Sequence, residues 1–201
     1  MKNVLVIESS PHRKGSYSRR LTEAILGKLK ENNSGAEVKV RDLAERPLPH
    51  LDGFHLAAFF IPPQHRTEND RETLRSSEEA IAEVLEADAI IIGMPMFNFS
   101  IPSSLKAWID HIVRAGRTFN FTAIGPEGLV KGKKVYLAIS TGSVYSDGPL
   151  KARDFTEVYM RTILGFIGLT DITTFRVEGV AVSDLQATAL ERAISSVDRR
   201  L

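Results

Sequence analysis

Residues 89–113, AIIIGMPMFNFSIPSSLKAWIDHIV, change character twice within one short stretch. The run from Ala89 to Gly93 is almost wholly apolar, which is typical of a parallel strand that helices cover on both faces. From Ile101 the apolar positions have helical spacing, and Gly116 is expected to end the helix. Between the two no charged residue occurs before Lys106, so this loop is expected to fold against something flat and uncharged.

Four further runs have the composition of strands, at residues 4–7, 37–40, 135–139 and 173–177. Helical patterns separate them, and Ser183 is expected to cap the last helix. Strands that alternate with helices predict an α/β protein, a parallel sheet with helices on both faces. Five strands favour the order 2-1-3-4-5, and the alternating second strand suits an edge.

Two segments stand out from this regular pattern. The helix expected over 155–167 is apolar over a broader surface than contact with one sheet requires. Residues 46–70 are rich in proline and predict a long connection without regular structure, which is usually functional or disordered. Phe54, Phe59 and Phe60 are expected to be exposed within it.

The composition excludes several classes of protein. The 201 residues carry a net charge of only +1, with 26 basic and 25 acidic side chains, which does not support a nucleic-acid binder. There is no cysteine, so disulfides, thiolate metal sites and cysteine nucleophiles are excluded. No signal peptide is visible, and no apolar run approaches the roughly 20 residues of a membrane span. We expect one domain over residues 1–201, in the cytoplasm.

Ligands of such sheets bind beyond the carboxyl ends of the strands, where the strand order reverses. The loop after the first strand, Ser9–Ser18, has hydroxyl side chains at the start of a helix, which suits a phosphate group. It contains neither GxxxxGK[ST] nor GxGxxG, which argues against a P-loop hydrolase and a dinucleotide-binding site. The alternative is that Ser16 or Ser18 simply caps the helix.

The loops after the third and fourth strands add flat polar and aromatic contacts. The backbone of 96–99 and the Asn98 amide could read the edge of a heterocycle, or Phe97 and Phe99 could merely close the end of the sheet. Gly142 allows a positive φ and a close approach to a ligand. Together the three loops fit a flat heterocycle with one phosphate, for which flavin mononucleotide (FMN) is the obvious candidate.

The chain resembles the FMN-dependent NADH-azoreductases, relatives of the NAD(P)H quinone reductases with a flavodoxin-like fold, nearly from end to end. The motifs that carry the resemblance are VRDL (40–43), LDG (51–53), PMFNFSIPSSLKAWID (95–110), RAGRTF (114–119), GPEGLVKGKK (125–134) and LGFIGLTD (164–171).

The resemblance implies a flavodoxin-like three-layer sandwich, NADH as electron donor, a quinone or azo compound as acceptor, and a homodimer whose interface borders both active sites. It implies FMN contacts at Ser10, Ser16, Tyr17, Ser18, Met96, Phe97, Asn98, Phe99, Ser140, Thr141, Gly142 and Ser143. The family often has a second glycine where this chain has Ser143, and residues 11–14 are more basic than expected.

No catalytic side-chain acid is expected, because a flavin supplies the chemistry and the protein orients it. Phe119, Phe121 and Phe166 are candidates for the apolar walls of the substrate slot, with a core position as the alternative for Phe121. The histidines form no metal-binding pair, and His111 is expected on the surface beside Asp110. The alternative function is an electron carrier or FMN-binding regulatory module without its own substrate turnover.

Overall fold

A computed structural model describes residues 1–201 as seven strands and six helices. The strands are β1 (Asn3–Glu8), β2 (Glu37–Asp42), β3 (Ala89–Pro95), β4 (Phe119–Thr122), β5 (Gly125–Gly128), β6 (Lys134–Thr141) and β7 (Asp171–Glu178). The helices are α1 (Tyr17–Asn32), α2 (Gly53–Phe60), α3 (Glu68–Glu86), α4 (Ser103–Ile112), α5 (Phe155–Phe166) and α6 (Ser183–Arg200), with short 3-10 turns at Pro63–His65 and Lys151–Arg153.

Five parallel strands form the central sheet in the order β2-β1-β3-β6-β7. Counted among the five sheet strands alone, this is the predicted order 2-1-3-4-5, and β2 lies at an edge as its alternating pattern indicates. The register pairs Glu8 with Gly93 and Pro95 with Ser140. The carboxyl ends of β1, β3 and β6 are therefore neighbours.

Both faces of the sheet are covered, because side chains of the central strands alternate between two apolar cores. One core packs the odd-numbered side of β1, represented by Leu5 and Ile7, against α3, α4 and α5. The other packs Val4 and Val6 against α1 and α6. Trp108 on α4 is fully buried in the first core.

The remaining strands, β4 and β5, form a two-stranded antiparallel hairpin outside the sheet. Gly128 at the end of β5 lies so close to the chain between Ile167 and Gly168 that an added Cβ would be 2.2 Å from the Gly168 nitrogen. No side chain fits there, and the two glycines must be present together. This close approach is a physical reason for the pairing of GPEG with LGFIG in the sequence.

Several expectations about local structure are wrong. Residues 46–70 are not irregular, because they contain α2 and the start of α3, and Phe59 is half-buried. Ser183 is the first residue of α6, and Val182 occupies the cap position without a side-chain bond. The third predicted helix ends at Ile112, before Gly116, which lies in the following turn with φ 75°.

None of the helices combines the length and the apolar character needed to cross a membrane.

Candidate functional site

Three loops meet at the carboxyl edge of the sheet through direct hydrogen bonds. Ser9 donates to the Gly93 carbonyl from both its backbone nitrogen, at 3.1 Å, and its Oγ, at 2.8 Å. The Met96 nitrogen, just beyond β3, donates to the Ser140 carbonyl of β6 at 2.8 Å. The structure thus brings the serine loop, the 96–99 loop and the 140–143 loop together, as the sequence predicts.

The serine loop ends in the first turn of α1, and Ser16 is its cap. The Ser16 Oγ accepts from the Arg19 nitrogen at 3.4 Å and lies 3.2 Å from the Ser18 Oγ. Ser18 is fully buried and is not the cap. The backbone N–H groups of Tyr17 and Ser18 donate to no other group of the chain. Free donors at the positive end of a helix form a binding site for an anion.

Arg19 ties the serine loop to the end of β2. Its guanidinium makes two bonds to Asp42, at 2.8 and 2.9 Å, and one to the Ser10 carbonyl at 2.8 Å. The hydrogen bond to Asp42 raises the pKa of Arg19; burial would raise the pKa of Asp42, but Arg19 outweighs it and the pKa is lowered. This positioning residue was missed in the sequence, where Arg19-Arg20 has the appearance of ordinary basic surface.

The 96–99 loop contains a tight turn from Phe97 to Ser100. These two residues exchange backbone hydrogen bonds at 2.9 and 3.0 Å, and Asn98 and Phe99 between them have φ of 49° and 69°. Two consecutive positive φ values make a type I′ turn, which strongly favours glycine at its second central position. A phenylalanine there is strained, and strained backbone gathers at functional sites.

The side chains of this turn point away from the core. Phe97 and Phe99 are 42% and 41% exposed, so the alternative that they close the end of the sheet is wrong. Asn98 is exposed and its amide has no partner within the chain. Beside the turn lies an open cavity of about 490 Å³, bounded by Asn98, Lys106 and Tyr159.

The 140–143 loop is held by the end of β7. The Gly142 carbonyl accepts from the Ala181 nitrogen at 2.9 Å, and Glu178 Oε1 accepts from the nitrogens of Tyr145 and Ser146, both at 2.8 Å. Gly142 does not use the positive φ that a glycine allows, and an added Cβ would meet only the Ala181 Cβ at 3.6 Å. The fold itself does not require a glycine there.

The three predicted wall residues form one aromatic cluster elsewhere in the chain. The Phe119 ring lies 5.3 Å from Phe121 and 4.6 Å from Phe166, centroid to centroid. Phe155, at the other end of α5, donates its nitrogen to the Phe99 carbonyl at 3.0 Å. Eleven helical rises separate Phe155 from Phe166, about 16 Å. The structure of one chain therefore does not bring these rings to the three loops.

The cluster members also differ in exposure. Phe119 is 8% exposed and belongs to the packed interior, whereas Phe121 is 77% exposed, so the core alternative for Phe121 is wrong. Next to Phe121 in the same hairpin, Ile124 is completely exposed.

Two carboxyl groups near this edge, one buried and one half-buried, have opposite pKa shifts. Glu8, at the end of β1, is 6% exposed, and burial raises its pKa to about 7. Burial would also raise the pKa of Glu157 on α5, but hydrogen bonds from Thr174, Arg176 and Arg161 outweigh it and lower the pKa to about 2. Neither residue could be picked out from the sequence, because each depends on partners far away in the chain.

His111 is not a surface residue, contrary to expectation. It is fully buried on α4, with Nε2 2.9 Å from the Pro49 carbonyl and its ring 5.2 Å from that of His55. Burial lowers the pKa of His111. The structure contains no group of three or more side chains able to hold a metal ion.

The residues at the three loops fit FMN. The free N–H groups of Tyr17 and Ser18 and the Ser16 hydroxyl match a phosphate group. The unpaired Asn98 amide and the exposed Phe97 and Phe99 rings match the edge and face of a flat heterocycle.

Comparison with known proteins finds relatives along almost the whole chain. A family model described as flavodoxin-like fold matches residues 2–201. The chain is 50% identical over 182 residues to the FMN-dependent NADH:quinone oxidoreductase of Herminiimonas arsenicoxydans, which covers 90% of this chain and 89% of that protein. It is 43% identical to the FMN-dependent NADH:quinone oxidoreductase of Azotobacter vinelandii, over 96% of both chains.

A solved structure agrees in its fold. The crystal structure of an azoreductase from Bacillus anthracis superposes with a TM-score of 0.87 at 29% identity, covering 99% of this chain and all of that one.

Proposed function

The chain belongs to the flavodoxin-like family that contains the FMN-dependent NADH:quinone oxidoreductases, and from this premise we propose that it is itself an FMN-dependent NADH:quinone oxidoreductase and azoreductase. The observation that carries the proposal is the meeting of three loops: the serine loop with free N–H groups and hydroxyls, the 96–99 loop with an unpaired amide and exposed rings, and the polar 140–143 loop. We assign FMN to these loops, within a single domain over residues 1–201.

The phosphate of the cofactor is assigned to the start of α1. The N–H groups of Tyr17 and Ser18 and the hydroxyl of Ser16 donate to it, and the positive end of the helix stabilises its charge. Ser10 is part of the same loop, and Arg19 keeps the loop in place by donating to the Ser10 carbonyl.

The ring of the cofactor is assigned to the other two loops. When bound, FMN would supply the two-electron chemistry that links hydride transfer from NADH to reduction of a quinone or an azo compound. The residues of this chain would bind and orient the ring, with Met96, Phe97, Asn98 and Phe99 from one loop and Ser140, Thr141, Gly142 and Ser143 from the other. Backbone N–H groups near Asn98 and Gly142 would stabilise negative charge on the ring, so no side-chain acid would be needed.

A homodimer explains the distant aromatic cluster. Phe121 and Ile124 are exposed on the hairpin, and Phe155 and Val158 are exposed on α5, 58% and 65%. Such apolar surface on a monomer usually marks an interface. The cluster of Phe119, Phe121 and Phe166 lies at the far end of α5, about 16 Å from the loops of its own chain. These rings can therefore line only the substrate slot of the partner subunit.

The carrier alternative differs in one measurable property. An electron carrier or regulatory module binds FMN but does not turn over NADH and a quinone. The experiment is to reconstitute the purified protein with FMN and to record initial rates with NADH and a small water-soluble quinone. We expect sustained turnover and parallel double-reciprocal lines, because donor and acceptor use one slot in turn. Flavin binding without turnover would favour the carrier, and intersecting lines would contradict the shared slot.

A further inference from the structure

Glu8 is the one buried carboxyl group beside the serine loop. It ends β1 immediately before Ser9 and Ser10, and only 6% of it is exposed. Its Oε1 is in short contact with the Thr22 Oγ1 of α1, and its Oε2 is buried without a hydrogen-bond partner. A carboxyl group in such a position is costly to ionise, and neither the fold nor the proposed chemistry uses it.

We propose that Glu8 is a proton-carrying part of the phosphate site: the protein binds the phosphate of FMN with Glu8 neutral, and ionisation of Glu8 weakens that binding. The inference rests on the proposed function, because it assumes that the phosphate lies at the start of α1.

The two oxygen contacts of the Thr22 hydroxyl both carry a proton only when Glu8 is protonated. The Thr22 hydroxyl has one proton and two oxygen neighbours, Glu8 Oε1 and the Arg19 carbonyl at 2.7 Å. If Glu8 is protonated, it donates to Thr22 and Thr22 donates to Arg19, so both contacts carry a proton. If Glu8 is ionised, the single Thr22 proton can serve only one of the two oxygens, and the other contact is left without a hydrogen bond.

The charges around Glu8 do not compensate an ionised carboxylate. Arg19, the cation of α1 that faces it, is already bound by both oxygens of Asp42 on β2 and by the Ser10 carbonyl. Asp42 and Glu23 face Glu8 as further acids. On β3 the neighbour is Gly93, where an added Cβ would lie 2.7 Å from Glu8 Oε2, so this position of β3 offers no side chain to pair with Glu8.

Glu8 contacts α1 one helical turn away from the residues assigned to the phosphate. Thr22, the partner of Glu8, and Ser18, at the phosphate end, are four residues apart on α1 and lie on the same face. One turn is about 5.4 Å. A carboxylate buried beside this turn repels a phosphate anion bound at the start of α1, because solvent screens little between buried groups.

The pKa of Glu8, raised by burial to about 7, places this ionisation in the neutral range. Since FMN is expected to prefer the protonated form, its affinity falls as the pH rises above 7. For one linked proton the dissociation constant rises at most tenfold per pH unit, about ten- to thirtyfold between pH 7 and 8.5.

The test measures FMN and riboflavin binding by quenching of flavin fluorescence, with apo-protein, from pH 6 to 8.5. The matched variant is Glu8→Gln, whose amide can donate to Thr22 as the neutral acid does but cannot ionise. We expect Glu8→Gln to bind FMN like the parent protein at pH 6 and to keep that affinity at pH 8.5, while the parent loses about tenfold or more. Riboflavin, which lacks the phosphate, is expected to show no such difference.

Equal pH profiles for FMN in the two proteins would overturn the inference. A second readout needs no variant: the carboxyl carbon shift of Glu8, followed by NMR in the parent, should titrate at higher pH with FMN than without it. An unchanged titration would overturn the inference as well. Absence of FMN binding at pH 6 in both proteins would instead contradict the proposed function, a distinct result.

Discussion

Glu8 on β1 and Glu157 beside β7 are both largely buried, yet their surroundings are opposite. Glu8 has a threonine hydroxyl, no free cation and an unpartnered oxygen. Glu157 accepts from Thr174 at 2.7 Å and from two guanidinium groups, those of Arg161 and Arg176, at 2.7 and 2.6 Å. The same residue type is thus a titrating acid with a pKa of about 7 in one place and a fixed anion with a pKa of about 2 in the other.

The comparison shows which part of the site keeps the same charge near neutral pH and which part does not. Arg176 also binds Asp154, which caps α5, and approaches Glu178 at 3.6 Å, and Glu178 holds the loop at Tyr145. This network supports the two loops assigned to the ring, and Glu157 within it stays ionised at neutral pH because its pKa is lowered to about 2. The loop assigned to the phosphate instead follows Glu8 directly, and the charge of Glu8 changes near neutral pH.

Removing the central cation of the β7 network is expected to have the largest effect. Arg176→Met leaves Asp154 and Glu157 without their buried guanidinium, and breaking such a network costs about 3–5 kcal/mol. Urea unfolding of the apo-protein measures this loss. Arg161→Met is the matched control, because Arg161 also binds Glu157 but is 44% exposed, and it should cost no more than about 1 kcal/mol. Equal losses in the two variants would mean that the network does not stabilise the fold.

The next effect concerns the pH dependence of folding. Because the pKa of Glu8 is raised to about 7, the folded chain holds a proton that the unfolded chain releases. The stability from Glu8 is therefore complete below its ordinary pKa and is lost as the pH rises towards 7. Between pH 5 and 8 the parent should lose roughly 2–3 kcal/mol more than Glu8→Gln. Denaturant unfolding of both apo-proteins at the two pH values checks this, and parallel losses would contradict it.

The strain in the turn gives the smallest expected effect. Phe99 has φ 69°, a region that costs a residue with a Cβ about 1 kcal/mol more than glycine. We expect Phe99→Gly to be more stable than Phe99→Ala by about that amount, the reverse of the order in a helix or strand interior. Since both variants remove the ring and its contact with Tyr145, their difference in melting reports the strain alone. An alanine variant as stable as the glycine variant would show that the turn relaxes.

The strands and their order could be predicted because buried parallel strands have a strong local signal. Val4–Ile7, Ala89–Gly93 and Val135–Ile139 are continuous apolar runs, and the register that follows brings their carboxyl ends together. That geometry alone was enough to gather the three loops of the candidate site.

The rest depends on partners that no local pattern reveals. His111 is buried because α2 and the residues just before it, including Pro49, cover it. The proline-rich sequence of that segment did not predict the helix. The environment of Glu8 is set by Thr22 on a different element. The positive φ of Phe99 could not be predicted because the turn contains no glycine, although the neighbouring Asn98 is a residue that such turns favour.

The position of the phosphate can be measured by comparing FMN with riboflavin in the parent protein and in Ser16→Asp. Aspartate caps a helix as well as serine, so the apo-protein should melt like the parent. Two unit charges about 4 Å apart repel by about 4 kcal/mol at an effective dielectric constant of about 20. After solvent screening and side-chain movement we expect roughly 2–3 kcal/mol, which is a 30- to 150-fold loss of FMN affinity. Riboflavin should bind equally to both proteins. FMN binding to Ser16→Asp as tight as to the parent, or an equal loss for riboflavin, would contradict a phosphate site at the start of α1.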